Sequence, residues 1–139
     1  MKDVVVIDQA VPKVIQDLLE SIALGDKLNW FRLERATYTE GSALIFPLTA
    51  DAVDVQQFTH QIYELDKPVS HLFPTILPVI TAIPYTIKQM IRIKMNLCVY
   101  APMDNPDAHG MPHVDFTEIK EPLISAVYYV NDSLSLIHI

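Results

Sequence analysis

From residue 91 to residue 100 the chain reads IRIKMNLCVY, and its side chains alternate in character. Ile91, Ile93, Met95 and Leu97 fall on one side of an extended backbone, and Arg92, Lys94, Asn96 and Cys98 on the other. Such a two-faced strand needs a neighbouring strand and an apolar layer beneath it, so this stretch points to a sheet. Two further β-prone runs follow closely. A polar loop, 101–112, carries Pro102, Pro106 and Pro112; then come HVDFTEI (113–119), a break at Glu121 and Pro122, and LISAVYYV (123–130).

The first half has a different texture. VVVI (4–7) reads as a short strand. Pro12 opens a helix, where its missing N–H costs nothing. Val14, Ile15, Leu18, Leu19 and Ile22 recur at helical spacing until Gly25 stops them. Residues 30–46 scatter Trp30, Phe31, Tyr38, Ile45 and Phe46 as strands or ordered loop. Residues 51–65 read as a helix capped by Thr49 or Asp51, with Val55, Phe58, Ile62 and Leu65 inward. A further helix is expected within 70–82, with Pro74 or Pro78 in its first turn. Helices followed by closely spaced strands imply an α+β fold: a β-sandwich or jelly roll with N-terminal helices packed on one side.

Size and charge narrow the function classes. A chain of 139 residues supports one modest core. Its formal net charge of -7 argues against nucleic-acid backbone binding as the main activity, and the Lys88, Arg92, Lys94 group is too small to reverse that. The single cysteine, Cys98, forms no internal disulfide and is expected to be an inert core thiol. The N-terminal apolar run is too short for a signal peptide, and Pro74, Pro78 and Pro84 interrupt the apolar stretch 72–87, so no membrane span is expected. The expected location is cytoplasmic.

The chemistry-bearing pair is His113 and Asp115. On an extended backbone, residues two apart face the same side, so an imidazole nitrogen and a carboxylate oxygen can converge on one ion. Together they form two thirds of the facial triad that holds non-haem Fe(II) with open positions. The competing reading is a partly buried histidine beside a turn and an aspartate serving as a cap. The tripeptide alone favours that reading. The polar faces of the neighbouring runs offer Arg92, Lys94 and Asn96 before the pair and Tyr128 or Tyr129 after it.

RIKMNL, a proline-rich loop, PHVDF and then AVYYVND together resemble an Fe(II)- and 2-oxoglutarate-dependent oxygenase of the prolyl 4-hydroxylase-like group. The resemblance is close over residues 86–133 and looser over VIDQAVPKVIQDLL and LNWF. It implies an incomplete double-stranded β-helix (jelly roll), with His113 and Asp115 as two iron ligands. It places Tyr129 where a hydroxyl bonds the distal carboxylate of 2-oxoglutarate, and Tyr100 in the lining of that pocket. Asn96 faces either the same pocket or solvent, and Arg92 and Lys94 are solvated or substrate-side charges. His109, His60 and His71 are expected to be surface or hydrogen-bonded histidines. The implied cofactors are Fe(II) and 2-oxoglutarate, with ascorbate as a further candidate. The implied reaction uses dioxygen to hydroxylate a protein side chain such as proline, or a small molecule, one oxygen atom entering that product and the other the succinate formed, with carbon dioxide, from 2-oxoglutarate.

The family pattern also calls for a second histidine and a later arginine or lysine. Beyond Asp115 the only histidine is His138, the only lysine is Lys120, and there is no arginine. The closing LSLIHI does not continue the pattern and reads as a translated transposon-end sequencing adapter. The expectation is therefore a truncated oxygenase domain over 1–133 and a non-native tail over 134–139, inactive as it stands, with apolar strand faces uncovered. Two alternatives remain: a non-enzymatic jelly-roll binding module, and a cupin-like metal dioxygenase that uses no 2-oxoglutarate.

Overall fold

A computed structural model describes residues 4–33, 52–53, 57–98, 109–110 and 123–131. Among these residues it is a mixed α+β structure with an open antiparallel sheet and two helices. In chain order the elements are α1 (Lys13–Leu24), β1 (Phe31–Leu33), β2 (Ala52–Val53), β3 (Gln57–Glu64), β4 (Lys67–Pro68), α2 (Phe73–Thr81), β5 (Arg92–Cys98) and β6 (His109–Gly110). The chain divides into two compact units. One comprises Met1–Leu28, Gln61–Ile93 and Ser125–Ile139, and the other Asn29–His60 and Lys94–Ile124.

Helix α1 begins as its sequence requires. Pro12 sits just ahead of it in an extended conformation, and its carbonyl accepts from the N–H groups of Ile15 at 2.9 Å and Gln16 at 3.1 Å. No side chain caps this end by bonding the first turn; instead the Gln16 amide donates to the Val11 carbonyl at 2.8 Å. At the other end Gly25 has an extended backbone rather than a left-handed one. Its role is close approach: a Cβ there would lie 2.7 Å from the Ser21 carbonyl oxygen. Leu19 is buried, Ile15 and Ile22 are half-buried, and Val14 and Leu18 face outward. The apolar stripe is thus wider than the surface it covers. Lys13 and Asp17 pair across one exposed helical turn, an arrangement that contributes little in water.

The core of this first unit gathers Val11, Leu19, Leu28, Ile62, Tyr63, Leu72 and Ile76. Ile62 and Tyr63 are consecutive strand residues and so point to opposite faces; both are buried, so this part of β3 is covered on both sides. The Tyr63 ring stacks on Phe73 at 5.3 Å between centroids, joining β3 to the start of α2. Helix α2 touches α1. Pro74 lies in its first turn, as expected, while Pro78 lies inside it and leaves one backbone position without a donor.

Residues 57–64 are a strand, not the helix expected over 51–65, and β2 occupies 52–53. The apolar pair behind the helical reading, Phe58 and Ile62, is spaced by four, which suits one helical face and one strand face equally. Thr59, Ile62 and Tyr63 tip the balance toward a sheet. Leu65, counted as an inward helical residue, instead occupies a turn and is 78% exposed. Leu65 and Asp66 have φ of 48° and 62° and form the two-residue loop between β3 and β4. Positive φ at both loop residues is the backbone of a type I′ hairpin.

β3 is the hub of the sheet: β1 and β4 pair with it antiparallel, and β5 also pairs with it. Registers run Phe31↔Thr59 to Leu33↔Gln57 for β1, and Tyr63↔Pro68 with Glu64↔Lys67 for β4. In the second unit β2 and β6 form a short parallel pair, Ala52↔His109 and Val53↔Gly110.

Two other expected strands do not form. Residues 4–7 and 123–130 are irregular rather than strands, and Val4, Val6, Ile124 and Val127 are largely exposed. β-branched composition equips a segment for a sheet but does not supply a partner. Among the described residues, no helix is long and apolar enough to cross a membrane.

Candidate functional site

β5 is the described strand that precedes His113 and Asp115 in the sequence. It forms over Arg92–Cys98, as its alternation requires, and its last residues alternate in exposure: Met95 and Leu97 half-buried, Asn96 and Cys98 exposed. Asn96 therefore belongs to the outward face. Cys98 is not the core thiol expected from its residue type; it shares that outward face, and the Gln57 amide lies 3.8 Å from its sulfur. The strand's parity decides the matter, since Cys98 sits an even number of positions from Asn96. Arg92 and Lys94 are half-buried rather than fully solvated.

His113, Asp115 and Tyr100 lie outside the described residues. Tyr129, the candidate for the 2-oxoglutarate carboxylate, is described and is 52% exposed. Exposure alternates from residue 127 to 130, with Tyr128 and Val130 half-buried and Val127 and Tyr129 outward. The two adjacent tyrosines thus occupy different surroundings. Burial pushes the Tyr128 phenol above its ordinary range, and the positive charge of Lys13 offsets part of that rise. That neighbour was not legible in the sequence, because Lys13 and Tyr128 come from opposite ends of the chain.

The histidines divide by environment. His60 is buried on β3, and its Nδ1–H donates to the Asn29 carbonyl at 2.8 Å, the hydrogen-bonded state expected for a histidine at this position. His71 is exposed. His109 contributes backbone to β6. Among the described residues, no three histidine, cysteine, aspartate or glutamate side chains gather closely enough to hold a metal ion.

An open depression of about 570 Å³ lies ahead of α1, lined by Gln9, Ala10, Val11, Pro12, Lys13 and Gln16. None of the residues singled out as site candidates in the sequence lines it. No protein-family model, curated protein or solved structure matches this chain.

Proposed function

We propose that the chain carries the His-x-Asp part of an Fe(II)- and 2-oxoglutarate-dependent oxygenase site, on an incomplete double-stranded β-helix of the prolyl 4-hydroxylase-like kind. The observation that supports this reading is β5. The resemblance requires a strand over RIKMNL with a polar face immediately before the proline-rich loop, and Arg92–Cys98 is a strand with Asn96 exposed. In this reading His113 and Asp115 hold the metal, Tyr129 donates its hydroxyl to the distal carboxylate of 2-oxoglutarate, and Tyr100 and Asn96 line the same pocket. Iron, when bound, supplies the activation of oxygen; the chain's part is to fix geometry and bind the co-substrate. The substrate class is a protein side chain or a small molecule.

The direct test is titration with Co(II), an air-stable stand-in for Fe(II), followed by visible absorption. The expected result is binding by the unaltered chain that His113→Ala and Asp115→Ala each abolish, with added 2-oxoglutarate perturbing the spectrum of the unaltered chain. Equal binding by all three chains would refute the ligand assignment and favour a structural role for HVD, as in a non-enzymatic binding module. Binding that is sensitive to His113→Ala but indifferent to 2-oxoglutarate would favour a cupin-like dioxygenase.

A further inference from the structure

We draw no further inference here: the strongest candidate, the exposed apolar run of residues 4–7 ahead of α1, carries none because nothing in the structure shows what covers it.

Discussion

The imidazole of His60 and the backbone of Asn29, 31 positions apart, are joined by a 2.8 Å hydrogen bond from Nδ1 to the carbonyl oxygen. A carbonyl can only accept, so Nδ1 carries the proton and the tautomer is fixed by this contact. Asn29 and His60 are also the first and last residues of the segment that enters the second compact unit. The bond therefore closes that segment at its base.

Removing the imidazole leaves the Asn29 carbonyl without this donor and opens space on a buried face. His60→Ala is expected to cost about 1–3 kcal/mol in urea unfolding. His60→Asn keeps an N–H donor on a shorter side chain and is expected to recover part of that loss. Equal stability of the alanine variant and the unaltered chain would show that the contact contributes nothing.

Ile62 and Leu65 sit three positions apart and should respond oppositely to substitution. Ile62 is 1% exposed, and Ile62→Ala is expected to destabilise by roughly 2–5 kcal/mol through lost burial and a residual cavity. Leu65 is strained in the left-handed region at φ 48°, where asparagine is at ease. Leu65→Asn should stabilise by roughly 1 kcal/mol. Had residues 51–65 formed a helix, Leu65→Asn would destabilise instead, so one pair of melts separates the two backbones.

Tyr128 ties stability to alkaline pH. Burial raises its pKa above the ordinary value of 10.0, so the folded chain holds this proton more tightly than the unfolded chain does. The resulting stabilisation is fully present below pH 10.0 and is lost as pH rises through the folded value. Thermal melts across the alkaline range should therefore show a steeper decline for the unaltered chain than for Tyr128→Phe. Parallel declines would mean that the phenol is fully solvated.

Tyr129 provides a separate test of the proposed co-substrate pocket. Tyr129→Phe removes one hydroxyl from a residue that is 52% exposed, and a thermal melt of the variant checks its fold. The expected outcome is weaker 2-oxoglutarate binding, by the factor of about 10 that loss of one hydrogen bond to a charged group brings, with Co(II) affinity unchanged. Isothermal titration with each ligand reads both quantities. An unchanged 2-oxoglutarate affinity removes Tyr129 from the site.

Elements whose signal is local were legible in the sequence. α1 combines Pro12, a helical apolar spacing and Gly25; α2 places Pro74 in its first turn; β5 alternates residue by residue. The misreadings have two physical sources. Phe58 and Ile62 satisfy two periodicities at once, and the deciding fact, a left-handed pair at Leu65 and Asp66, has no glycine or asparagine to announce it. Residues 4–7 and 123–130 have strand composition, but pairing depends on a distant partner that no local pattern encodes. At the candidate site, Asn96 lies on a strand, as its alternation implies, and Tyr129 faces outward, whereas His113, Asp115 and Tyr100 lie outside the described residues.

The hairpin that joins β3 to β4 has a kinetic consequence. Leucine and aspartate seldom visit the left-handed basin together in an unfolded chain, so this reversal is a poor place for folding to start. The turn is therefore expected to be set late in folding, after contacts such as that of Tyr63 with Phe73. Relieving its strain should then slow unfolding while leaving the folding rate nearly unchanged, the behaviour of a position that is unformed in the transition state.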